Sequence, residues 1–197
     1  MPEFSLRFQQ AIARIDAANA ADTDVVSDGT SQVPGEVLYS RRMTDWLTKL
    51  YPNASEALHL AVRAQHIRRW EKPRSEYPMD RAGYHRWRTA LYDFHANTAG
   101  QILAEVGYDS ETIDQVKSML RKQRLKADPQ TQALEDVICV VFLENYFADF
   151  ATQHNEEKLI NILRRTWAKM SDVGRSAALK LPMSAEASAL IGKALAS

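Results

Sequence analysis

Apolar side chains recur three and four positions apart along most of the chain rather than alternating, the spacing of helices that bury one face. Phe8, Ile12 and Ile15 share one face of a helix predicted over about 4–20. The polar stretch ADTDVVSDGTSQVPG, with Gly29, Pro34 and Gly35 as breakers, predicts a long loop over 21–35. Helices follow over about 36–50 and, capped by Ser55, over about 56–71. Two prolines in KPRSEYPM make 72–79 a loop or extended segment. Asp80 is placed to cap a long helix that Gly107 ends near Val106, and its apolar face is read as Tyr84, Trp87, Leu91, Phe94, Thr98 and Ile102. Another helix fits 110–124.

Asp128 and Pro129 form a start signal, N-cap and first helical position, for a helix running to about Ala151. This segment is apolar nearly all round, which predicts a central buried helix at about 129–150. Asn155 caps a helix to about Met170, and two short helices, 172–180 and 184–195, close the sequence. The expected fold is all-α: a single domain over 1–197, with its core over about 36–170.

Charge and composition narrow the function classes. The chain of 197 residues carries 25 Lys+Arg against 25 Asp+Glu, a balance that argues against generic nucleic-acid binding. Cys139 is the single cysteine, so no intrachain disulfide can form, and its place in VICVVFL predicts a buried thiol. The N-terminal residues lack the pattern of a signal peptide, and no window of 18 apolar residues suggests a membrane span. A reduced cytoplasmic protein that does not enter membranes is therefore expected.

Within that neutral chain, RAQHIRRW at 63–70 concentrates three arginines around one imidazole. On a continuous helix His59, Arg63, His66 and Trp70 fall in one narrow stripe. Arginine suits bidentate contact with phosphate or carboxylate, so the stripe predicts a site for an anion, and His66 is expected to face the interior. Arg88 and His95 lie seven apart at the edge of the face assigned to the next helix. The acids of the 129–150 helix, Glu135 and Asp136 among them, need partners if buried. Arg63 or Arg69 is the expected counter-ion, with Arg88, Arg121 and Lys122 as further cations.

The strings LYSRRMTDWL, RAQHIRRW, FHANTAGQILAEVGYD, LEDVICVVFLENYFADF and EEKLINILRRTWAKMS resemble the family known as domain of unknown function 4202, over about residues 4–195. More remotely, HANTAGQILAEVGYDSETIDQVKSMLRK followed by LEDV resembles the HD-type metal phosphohydrolases. That resemblance implies an HD-like helical fold in which His66, His95 and Asp136 are metal ligands and catalytic groups. It further implies a divalent metal: zinc, manganese or iron. Arg121 and Lys122 stand where some members place histidines, and no adjacent His-Asp pair occurs in the chain.

The expected function is thus an HD-like phosphohydrolase, or a protein that binds a phosphorylated small molecule through Arg63, Arg69, Arg88, Arg121, Lys122 and Glu135. The alternative is a non-catalytic helical interaction protein whose His, Arg and acid residues form a structural ion-pair network.

Overall fold

The computed structural model describes residues 4–196. The chain forms two compact units, Met1–Thr131 and Gln132–Ser197. Ten α-helices occur among the described residues, with one two-stranded hairpin, so the all-α class holds.

The N-terminal unit is built from α1 (Leu6–Asn19), α2 (Gly35–Leu50), α3 (Glu56–Arg63), α4 (Arg81–Glu105) and α5 (Ser110–Leu120). Local chemistry fixes most of the starts. Ser5, Ser55, Asp80 and Asp109 each accept a backbone N–H from the first turn of the helix they precede. Ile15, Met43, Leu47, Leu60, Ile67, Leu91 and Leu103 are fully enclosed in the core of this unit.

Three expectations change here. The predicted loop at 21–35 contains β1 (Val25–Ser27) paired antiparallel with β2 (Gln32–Pro34), Val26 opposite Val33. The Asp28 carboxylate closes its turn by accepting the backbone N–H groups of Thr30 and Ser31, and Gly29 supplies a φ of 98°. The helix predicted over 56–71 stops at Arg63. The chain then turns, Arg68 adopts a left-handed φ of 51° with its N–H donated to Oδ1 of buried Asn19, and a short 3-10 helix occupies Arg69–Glu71. The buried face of α4 runs through Trp87, Leu91, His95, Ala99 and Leu103, while Tyr84 is exposed. His95 is therefore a core position, not an edge.

The C-terminal unit takes in α6 (Pro129–Asn145) from Gln132 onward, then α7 (Phe147–Ala151), α8 (Glu156–Lys169), α9 (Asp172–Ala178) and α10 (Ala185–Leu195). Leu134, Val137, Val140 and Val141 are fully buried, as the uniformly apolar α6 requires, and Tyr146 interrupts the helix predicted to run unbroken to Ala151. Cys139, Leu143, Phe147, Leu159, Leu163 and Met170 share one apolar cluster, which confirms the buried thiol. No helix among the described residues is long and apolar enough to cross a membrane.

Candidate functional site

The break after α3 organises a polar cluster inside the N-terminal unit. Because the chain turns at 64–68, His66 leaves the stripe it would share with His59 and Trp70 and lies flat on Tyr39 of α2, ring centroids 4.0 Å apart and 10° from parallel. His59 instead meets the rings of Phe4 and Phe8 edge-on. The turn also presents the Ile67 carbonyl to α4, where it pairs with Nδ1 of His95 at 2.9 Å. The two imidazoles stand 5.9 Å apart.

Three cations surround them. Arg69, in the short 3-10 helix, reaches Nε2 of His66 at 3.3 Å and lies over the Trp87 ring at 5.0 Å. Arg88 donates to the Tyr92 hydroxyl at 2.9 Å. Lys122 follows α5 in a left-handed conformation, φ 59°, and donates to Oε1 of Gln65 at 3.4 Å. On the other side of His66, Nδ1 meets Oε2 of Glu36 at 3.3 Å. Glu36 is held in the first turn of α2, its backbone N–H given to Oδ2 of Asp22.

These contacts define protonation states. Burial first, then the charge of Arg69, His95, Arg88 and Lys122, pushes His66 well below an ordinary histidine. His95 is lowered to about 3 by burial, against the opposing pull of the Ile67 carbonyl and with added repulsion from Arg69, Arg88 and Lys122. Both rings are neutral near neutral pH. Arg69 can only donate, so Nε2 of His66 is the accepting nitrogen and Nδ1–H donates to Glu36. Burial raises the Glu36 carboxyl to about 7, with Arg69 opposing and Asp22 and Asp24 adding to the rise. The Glu36–His66 contact is a hydrogen bond from a neutral imidazole rather than an ion pair. Likewise His95 gives its one proton to Ile67, and its Nε2, an acceptor, is enclosed with no hydrogen-bond partner among the described residues.

Of the residues expected to bind substrate, His66, Arg69, Arg88, His95 and Lys122 are brought together. Arg63 is not part of this group. It forks onto both oxygens of Asp16, at 2.6 and 2.7 Å, and adds Thr44. Its partner is thus an acid of α1, not of the 129–150 helix. A bidentate pair of this kind ties α1 to α3 and leaves the fork committed. Arg121 pairs with Asp93 at 2.7 Å and with Asn97 at 3.1 Å on the outer side of α4.

Glu135 and Asp136 belong to the C-terminal unit and have partners there. Glu135 faces Nζ of Lys169 at 3.3 Å. Asp136, wholly buried, accepts the N–H of Ser171 at 2.7 Å, the Ser171 hydroxyl at 2.5 Å and the Gln132 amide at 3.1 Å. Gly174 passes so close that a Cβ there would lie 2.6 Å from Asp136 Oδ1. Asp136 thereby secures the start of α9. Among the described residues no group of three or more His, Cys, Asp or Glu side chains is placed to hold a metal ion.

Glu36, Tyr39, Gln65 and Trp87 complete the cluster without having been expected in it. Glu36 reads in sequence as an ordinary first-turn acid, and nothing local distinguishes it. The i, i+4 ladder of 87, 91, 95, 99 and 103 does carry the signal that His95 is interior.

Comparison with known proteins adds a family and no activity. No curated protein and no solved structure matches the chain. The family model described as domain of unknown function (DUF4202) matches residues 9–191, nearly the whole length, and the chain belongs to that family.

Proposed function

We propose that the N-terminal unit binds a phosphorylated small molecule at His66, Arg69, Arg88, His95 and Lys122, with Glu36 as the adjoining acid. The observation that carries this reading is the field at the two imidazoles. Arg69, Arg88 and Lys122 all act as cations on His95 and on His66, with Glu36 as the acid beside His66. Cations gathered beside two buried neutral imidazoles favour an incoming anion, which can take charge-assisted hydrogen bonds from them. Arginine and lysine together suit phosphoryl oxygens, the fork giving direction and the ammonium giving charge.

The reading gains from what the other cations do. Arg63 and Arg121 hold carboxylates at 2.6 and 2.7 Å, so the structural ion-pair network foreseen as the alternative describes those two residues. Arg69 differs: it meets a neutral imidazole and an indole ring, and the carboxyl that acts on it is Glu36, itself raised to about 7.

The experiment is calorimetric titration of the full chain with inorganic phosphate and a panel of phosphomonoesters, repeated with Arg69→Ala and Arg121→Ala. Binding that Arg69→Ala weakens by about tenfold or more, and that Arg121→Ala leaves intact, is the expected result. Phosphate release from any ester in the panel would extend binding to hydrolysis. Absence of binding by every anion would leave the cluster as internal scaffolding and end the reading.

A further inference from the structure

We infer that this site selects an oxyanion that carries its own proton, a phosphoryl group with a P–O–H, over an anion that has only acceptor oxygens, and that His95 Nε2 is the atom that makes the selection. The inference rests on the anion-binding reading above and specifies its ligand.

Donor and acceptor chemistry separates the two kinds of anion. Arginine and lysine donate and never accept, so Arg69, Arg88 and Lys122 treat phosphate and sulfate alike. A neutral histidine is different, because one nitrogen donates and the other accepts. In His95 the donor is assigned by the backbone: Nδ1 lies 2.9 Å from the Ile67 carbonyl, which can only accept. Nε2 is left with a lone pair, in the interior of a side chain that is 2% exposed, and no donor of the protein meets it among the described residues. The groups that act on it are the Ile67 carbonyl from the turn after α3, Arg69 from the 3-10 helix, Arg88 from α4 itself and Lys122 from the end of α5, with the neutral ring of His66 alongside. The cations among them oppose protonation of the ring, so Nε2 remains an acceptor when the protein is empty.

A buried acceptor without a donor is an unfavourable arrangement that a ligand can correct. Inorganic phosphate carries at least one P–O–H at neutral pH and can give that proton to Nε2 in a hydrogen bond while its remaining oxygens face the cations. Sulfate is nearly isosteric, is fully ionised, and would set an oxygen lone pair against the nitrogen lone pair. A phosphomonoester, whose second ionisation lies at about pH 6, qualifies as its monoanion. A phosphodiester has no such proton and does not qualify.

The test is competitive calorimetry on the full chain with inorganic phosphate, sulfate, methyl phosphate and dimethyl phosphate, on wild type, His95→Phe and His95→Gln, with thermal melts to confirm folding. Wild type is expected to bind phosphate about tenfold or more tightly than sulfate, the worth of one charge-assisted hydrogen bond, and to ignore dimethyl phosphate. His95→Gln, whose amide can turn to donate or accept, is expected to narrow the ratio while remaining folded. His95→Phe should weaken phosphate and leave sulfate unchanged. Methyl phosphate that gains affinity from about pH 7 to about pH 6 would identify an ester as the ligand class, and phosphate alone binding would identify the free ion. Equal affinity for phosphate and sulfate in wild type, with both lost in Arg69→Ala, would overturn the selection by His95 and leave the anion site standing. Binding of neither ion would overturn the anion site itself.

Discussion

Asp136 and His95 are both buried polar side chains on long helices, one in each unit, and they are satisfied to opposite degrees. Asp136 accepts hydrogen bonds from Ser171 twice and from Gln132, and fixes the start of α9. Among the described residues His95 makes one, to the Ile67 carbonyl, and keeps its second nitrogen idle beside cations. Folding alone rewards the first arrangement and penalises the second. A residue that completes the fold and a residue that waits for something else can therefore be told apart by counting what each one still lacks.

The comparison can be broken most forcefully at Asp136. Asp136→Ala deprives Ser171 and Gln132 of their acceptor and is expected to destabilise the C-terminal unit by about 3 kcal/mol in urea unfolding. A loss under about 1 kcal/mol would mean that its bonds are not structural.

The second test is electrostatic. The Glu36 carboxyl is raised from 4.5 to about 7 in the folded protein, so it is protonated in both states at low pH and resists ionisation in the folded one. Its contribution is full below about pH 4.5 and is lost as pH rises through about 7. His95, lowered from 6.5 to about 3, works the other way: stability falls as pH drops below 6.5, because only the unfolded histidine takes up the proton. The two opposing slopes overlap, and Glu36→Gln separates them. Between about pH 5 and about pH 7, wild type should lose about 2 kcal/mol relative to Glu36→Gln. Parallel pH profiles for the two proteins would show that Glu36 ionises normally.

Arg63 sharpens the contrast within the cationic stretch itself. Arg63→Ala removes the fork onto Asp16 and should cost about 2 kcal/mol of stability while phosphate affinity stays within about twofold, as expected of a residue whose guanidinium is held by Asp16 and Thr44. A loss of phosphate binding without loss of stability would reverse the assignment. The smallest stability change is expected at His95. His95→Phe removes an unsatisfied nitrogen along with the bond to Ile67 and should alter stability by no more than about 1 kcal/mol. A large destabilisation would place His95 with Asp136 as a structural residue.

Helix starts were legible in the sequence because they depend on one or two neighbouring residues, as at Ser55, Asp80 and Asp128. The hairpin at 25–34 was not, since three-residue strands give too short an alternation to separate from a loop, and its turn is held by the short side chains of Ser27 and Asp28. The end of α3 was also hidden. No proline or glycine marks it, and Arg68 takes its left-handed turn with support from Asn19, far away in sequence. That one break decided the site: it separated His66 from Trp70, brought it onto Tyr39, and freed the Ile67 carbonyl for His95. The cations Arg69, Arg88 and Lys122 were recognisable by residue type. Glu36 was not, because its raised pKa comes from burial and from Asp22 and Asp24 rather than from any local pattern.

The most direct measurement is nitrogen-15 NMR of the histidine side chains at about pH 7, with and without inorganic phosphate. His95 is expected to show a protonated Nδ1 and an unprotonated Nε2 in the empty protein, with the Nε2 resonance shifting as phosphate is added and Nδ1 little changed. A His95 ring already doubly protonated, or an Nε2 resonance that saturating phosphate leaves unmoved, would contradict a phosphoryl site built on that nitrogen.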